Sequence, residues 1–202
     1  MAASLAAALY LATRSSPAAI SSSSAPPVSD TAAATWAAGR HLAPDFALRD
    51  QNGAPVSLAA LRGRPVIVTF IDPLCRDYCP IEAQHLNDVV RTLPAGQKPA
   101  ILAVSVNIYG NAHANLVEDA RKWNLVPQWR WAIGAPSALS RVWSAYHVAV
   151  LASTKTVAGI KVHTIAHTEA AYVIDARGFQ RALFLWPYSA DGVVQTLRAL
   201  TS

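Results

Sequence analysis

The chain has 202 residues, 52% hydrophobic and 14% charged, enough for one ordinary domain with a compact core and an N-terminal extension. Seventeen Lys and Arg against twelve Asp and Glu give a formal net charge of +5. The basic residues form no dense cluster, which speaks against nucleic acid as a partner and leaves an anionic surface or an acidic protein.

Residues 2–13 are a mostly apolar run closed by Arg14. The run is too short to span a bilayer, which takes ~20 residues, and no basic residue precedes it as in a regular signal peptide. We read residues 1–14 as the remainder of an export signal or membrane anchor. No cysteine follows the run, which excludes anchoring of the bacterial lipoprotein kind. Residues 15–35 are rich in Ser, Ala and Pro, have no periodic apolar face, and are expected to form a disordered tether. The folded domain is expected over residues 36–202.

Within it, residues 43–50 predict a short strand, Asn52-Gly53 a tight turn, and residues 56–58 the returning strand. Residues 65–71 (Pro-Val-Ile-Val-Thr-Phe-Ile) predict a central strand, and residues 80–92 a helix ended by Pro94 and Gly96. Residues 100–106 are a second continuous apolar run. Continuous rather than alternating apolar residues imply burial on both faces, as in a parallel sheet. A helix over 112–124, a short strand over 129–133 and a helix over 136–147 follow. The last puts Leu139, Val142, Trp143 and Tyr146 on one face. Residues 148–162 read as an irregular loop or edge hairpin. Strands over 170–175 and 180–186 flank an Ala176-Arg177-Gly178 turn, and a helix over 191–200 closes the chain. This order predicts an α/β, thioredoxin-like fold: a central mixed sheet flanked by helices, with an N-terminal β-hairpin and a C-terminal hairpin plus helix.

The chemistry concentrates in Cys75-Arg76-Asp77-Tyr78-Cys79-Pro80, which holds both cysteines of the chain. It lies between a strand and a helix, where unpaired N–H groups make the helix start electropositive. Positions i and i+4 share a face, so the two sulfurs can bind one metal ion or close a disulfide. Pro80 belongs in a first helical turn, and Asp77 is the expected N-cap. The helix terminus and Arg76 are expected to lower both thiol pKa values. The bland alternative is a structural disulfide, but a loop this short gains little by chain entropy.

Six histidines are candidate third ligands. His41 precedes the domain, His85 is nearly two turns beyond the thiols, and His113 and His147 mark helix ends. His163 and His167 lie on the loop entering strand 170–175, which in a thioredoxin-like fold passes over the thiol turn. Soft sulfur selects Cu(I) or zinc and imidazole also suits Cu(II), so two thiolates with an imidazole can hold copper in either oxidation state.

Over roughly residues 42–200 the sequence resembles the Sco/SenC family of copper-binding assembly proteins for cytochrome c oxidase. Three stretches carry the resemblance: Ala43-Pro44-Asp45-Phe46 with Asn52-Gly53, the Cys-x-x-x-Cys-Pro of residues 75–80, and His167 followed five residues on by Tyr172 and then Asp175-Ala176-Arg177-Gly178. The resemblance implies Cys75, Cys79 and His167 as ligands of a copper ion, with His163 as the spare. It also implies delivery of copper to the copper-accepting subunit of cytochrome c oxidase, and a location in the bacterial periplasm or on the outer face of the cell membrane. Three positions depart from the family pattern: Arg76 stands where a proline is common, Ala166 where an acidic residue precedes the histidine, and Asn107 where an aspartate often stands.

Three other readings compete. In a thiol–disulfide oxidoreductase, Cys75 would attack, Cys79 would resolve, and a thioredoxin-like reductant would regenerate the pair. Three residues between the cysteines, and a histidine rather than a proline before strand 170–175, favour a ligand site over that reading. A peroxidase of the peroxiredoxin kind needs a hydroxyl where Asp72 stands. A binding-only relative would not need Cys, Cys and His together.

Overall fold

A computed structural model describes residues 27–200; residues 1–14 and most of the Ser/Ala/Pro-rich stretch lie outside it. Ten strands are formed: β1 (Ala34–Thr35), β2 (Leu48–Arg49), β3 (Pro55–Val56), β4 (Val66–Ile71), β5 (Ala100–Ser105), β6 (Trp129–Ala132), β7 (Val150–Val157), β8 (Ile160–His167), β9 (Ala170–Ile174) and β10 (Gln180–Leu185). Four α-helices accompany them: α1 (Tyr78–Thr92), α2 (His113–Lys122), α3 (Pro136–Ala145) and α4 (Ala190–Ala199).

Six strands form one mixed sheet in the order β1-β10-β9-β4-β5-β6. β4, β5 and β6 are parallel, with Val66 opposite Ala100 and Ile101 opposite Trp129, and helices connect them as parallel pairing requires. β9 and β10 run antiparallel on the other side of β4. The apolar character of β4, interrupted only by Thr69, has a simple cause. Ile67 and Ile71 pack under α1 and α4 with Leu86, Val89, Val193 and Leu197. Val66, Val68 and Phe70 face the opposite layer, with Phe46, Leu139, Val142 and Tyr146. Each neighbour along the strand meets a different core, so neither face tolerates a polar residue without a partner.

Four expectations change. The predicted strand over 43–50 pairs only at Leu48–Arg49, because Asp45 Oδ1 takes the N–H groups of Phe46, Leu58 and Ala59 and turns the chain there. Of the two readings left open for residues 148–162, the hairpin is formed but not at the edge of the main sheet: β7 and β8 are eight residues each and, among the described residues, pair only with one another. The tether ends earlier than composition suggests. β1 pairs with β10, Ala33 N donates to Leu183 O at 2.7 Å, and Ser189 N donates to Ser29 O at 2.9 Å. A Cβ on Gly192 would lie 2.1 Å from Asp30 O, so residues 29–35 are seated against the body. Finally, α1 begins at Tyr78, which still leaves Pro80 in the first turn, where its missing N–H costs nothing. Among the described residues no helix is long and apolar enough to cross a membrane.

Candidate metal centre

The thiol turn is set by Asp72, at the end of β4. Its Oδ1 accepts the Leu74 N–H at 2.7 Å and the Asn107 side-chain amide at 2.9 Å, and its carbonyl accepts the Cys75 N–H at 3.0 Å. Asn107 therefore anchors the turn by hydrogen bonding to the aspartate. Asp77 occupies the N-cap position but its side chain caps nothing. Cys75 Sγ does so instead, accepting the Cys79 N–H at 3.4 Å. Neither cysteine is in a disulfide; Cys75 is partly exposed and Cys79 fully buried.

This difference in depth splits the two thiols. Cys75 is lowered to about 6, chiefly by the hydrogen bond from the Cys79 side chain; burial opposes it, and the N–H groups of Cys79, Asp77 and Tyr78 add to it. Cys79 is raised well above the usual thiol range by that same hydrogen bond, by burial, and by the charge on Cys75. The expectation that both thiols are lowered is thus corrected: one acidic thiolate is held by one proton-retaining thiol. Arg76 does not face them. Its Nη1 donates to the Pro73 and Cys75 carbonyls at 3.0 and 2.8 Å and lies 3.5 Å from Asp119 Oδ1.

His167 is the last residue of β8, on a strand rather than on the expected loop. Its Nε2 lies 3.9 Å from Cys79 Sγ. Its Nδ1 lies 3.1 Å from the Thr168 carbonyl. A carbonyl only accepts, so Nδ1 carries the proton and Nε2 presents its lone pair to the thiol. Burial lowers the His167 pKa, against the opposing pull of the Thr168 carbonyl and Asp72. The imidazole is therefore neutral at neutral pH, as a ligand must be.

His163 is four residues back on the same strand and takes no part. It stacks on Tyr109, ring centroids 4.2 Å apart, with Nδ1 2.9 Å from Thr154 Oγ1. His41 stacks on Trp36, His85 bonds the Tyr188 carbonyl, and His113 bonds that of Gln51. His147 ends α3 with a φ of 55°.

Two acidic residues escaped the sequence reading. Glu169 brings a carboxylate oxygen, with Cys79 Sγ and a ring nitrogen of His167, into a set within 4.8 Å of one another. Its position two residues after His167 in an extended stretch was the available signal. Burial raises it to about 7, and the Cys75 charge adds to the shift. Glu82, one turn beyond Cys79, is fully buried; Thr69 and Tyr188 hydroxyls both donate to its Oε1 at 2.8 Å, and Oε2 has no partner. Nothing in the sequence around Glu82 marks it as buried, apart from its place on the Ala83–Leu86 side of α1. Asp72, Cys75, Tyr78, Ala166, His167 and Glu169 line an open cleft, so Cys75 and His167 are reachable from outside, while Cys79 is buried and does not line it. Soft sulfur with imidazole suits copper in either oxidation state, and zinc.

The same architecture occurs in known structures. ScoI of Bradyrhizobium japonicum, solved with copper bound, matches with a TM-score of 0.67 and 22% identity over 79% of this chain and 99% of that one. Yeast Sco1 with copper bound matches with a TM-score of 0.68 and 20% identity, over 80% and 88%. The thioredoxin domain of a thiol-disulfide oxidoreductase from Bacteroides vulgatus matches with a TM-score of 0.59 and 18% identity, over 84% and 99%. The expected thioredoxin-like fold is therefore present. Among curated proteins none matches this chain in sequence. The SCO1/SenC family model matches residues 35–202, nearly the whole of the described structure, and the chain belongs to that family.

Proposed function

We propose that this protein binds copper through Cys75, Cys79 and His167 and delivers it to the copper-accepting subunit of cytochrome c oxidase. The observation that carries the reading is the 3.9 Å approach of His167 Nε2 to Cys79 Sγ, at a turn that also bears Cys75. Family membership supports it, as do the copper-bound ScoI and Sco1 structures of the same fold. The donor set fits the ion: Cys75 is already a thiolate near neutral pH, His167 is neutral, and Cys79 gives up its proton when a cation replaces it. An open cleft suits a cargo that leaves by ligand exchange with a partner. We place the protein outside the cytoplasm, in the bacterial periplasm or on the outer face of the cell membrane, with the N-terminal segment as tether.

Anaerobic titration of the full chain with Cu(I) and Cu(II), beside His167→Ala and Cys75→Ser, tests the reading. One equivalent bound, with thiolate-to-Cu(II) absorption lost in both variants, is the expected result. Binding that is unchanged in both variants would sink it.

A second reading rests on the split between the thiols. Cys75 thiolate would attack a partner disulfide, forming a mixed disulfide and releasing one partner thiolate. Cys79 would then lose its proton and attack Cys75 Sγ, closing the Cys75–Cys79 disulfide and releasing the second partner thiol. A thioredoxin-like reductant would supply the two electrons that reopen it. Reduction of a model disulfide by the reduced chain, abolished in Cys75→Ser, separates this activity from copper delivery.

A further inference from the structure

Glu169 enters β9 with its backbone fixed, its carbonyl accepting the Trp186 N–H at 3.1 Å. Its side chain is half-buried in the cleft, and a carboxylate oxygen lies within 4.8 Å of Cys79 Sγ and of a ring nitrogen of His167. No described residue gives that carboxylate a hydrogen bond or an ion pair. A carboxylate so placed lacks the cation that would offset its desolvation. Ala166, on the other side of His167, supplies no acid to the centre; Glu169 is the carboxylate that falls in one set with Cys79 and His167.

We propose that Glu169 is an oxygen ligand of the divalent state of the bound metal, joining Cys75, Cys79 and His167 when the ion is Cu(II) and standing free when it is Cu(I). The inference rests on the copper reading above and adds a residue to it. A carboxylate is a hard donor. It adds little to Cu(I), which is satisfied by thiolates and imidazole, but suits the N and O preference of Cu(II). Glu169 thereby stabilises the oxidised ion selectively and lowers the potential of the bound couple.

The test uses the full chain, Glu169→Gln, and Glu169→Asp, which keeps a carboxylate. Dissociation constants for Cu(I) and Cu(II) are measured by chelator competition, and the Cu(II) forms by electron paramagnetic resonance. Glu169→Gln is expected to weaken Cu(II) about tenfold or more, to leave Cu(I) within about twofold, and to alter the Cu(II) hyperfine pattern. A tenfold loss confined to Cu(II) raises the one-electron potential by about 59 mV. Glu169→Asp is expected to retain most of the Cu(II) affinity. Unchanged Cu(II) affinity and spectrum in Glu169→Gln would overturn the inference and leave the copper site standing. Equal loss of Cu(I) and Cu(II), or equal loss in both variants, would assign Glu169 a structural role and overturn it too. Absence of copper binding by the unaltered chain would overturn both readings at once.

Discussion

Arg76 stands in sequence between the two thiols, yet its guanidinium lies 3.5 Å from Asp119, on α2, and turns away from them. The Asp119 side chain is 2% exposed and its Oδ2 has no partner, so Arg76 is the cation that answers a buried carboxylate. Through its bonds to the Pro73 and Cys75 carbonyls the same guanidinium ties the thiol turn to α2. Arg76→Ala should destabilise the fold by about 1–2 kcal/mol, moderated by the half-exposed arginine. Arg76→Ala/Asp119→Asn together should cost less than the sum of the single changes. Denaturant unfolding of the three variants measures the coupling; strict additivity would show that the pair does not hold the turn.

Cys75 should alkylate with a pH midpoint near 6, because the Cys79 hydrogen bond holds its thiolate. Cys79→Ala removes that donor. The midpoint should then rise by about a unit or more, the remaining N–H groups at the helix start still favouring thiolate. Iodoacetamide rates from pH 4 to 9 report it directly. A midpoint unmoved in Cys79→Ala would assign the effect to the helix terminus alone.

Glu82 makes stability depend on pH. Burial raises it from 4.5 to about 8, against the hydrogen bonds from Thr69 and Tyr188. Between those two values the folded chain holds a proton that the unfolded chain has released. The stabilising contribution is therefore complete below about pH 4.5 and is lost as pH rises through about 8. Glu82→Gln keeps a neutral group in place. From pH 5 to 8.5 the wild-type chain should lose on the order of a few kcal/mol relative to that variant. Parallel pH curves would exclude a neutral buried acid.

Among the described residues the β7–β8 hairpin pairs with no other strand, and the Tyr109–His163 stack is a contact that fastens it to the body. Aromatic pairs contribute about 0.5–1.5 kcal/mol. Tyr109→Ala should therefore speed amide exchange in the hairpin by about three- to tenfold. Copper affinity should fall by no more than about threefold, since Thr168 N–H to Ala149 O at 3.0 Å still holds the strand base beside His167. A much larger loss of affinity would mean that His163, not only the base of the hairpin, positions the ligand.

Much of this protein was written locally. The apolar runs at residues 66–71 and 100–105, Pro80 in a first helical turn, and the Cys-x-x-x-Cys spacing determine a parallel sheet with two thiols at a strand-to-helix turn. Those signals act over a few residues, where backbone geometry links sequence to structure directly. What lies between the thiols and the rest depended on contacts across the chain. His167 reaches Cys79 from 88 residues away, and His163, equally plausible from sequence, is drawn off to Tyr109. Arg76 looks like a thiol activator until Asp119 claims it. The two thiols look alike until burial separates them, because desolvation is a property of depth and depth exists only in the folded chain. The same holds for Glu82 and Glu169, ordinary acids in sequence, whose protonation and partners were decided by what the tertiary structure packed around them.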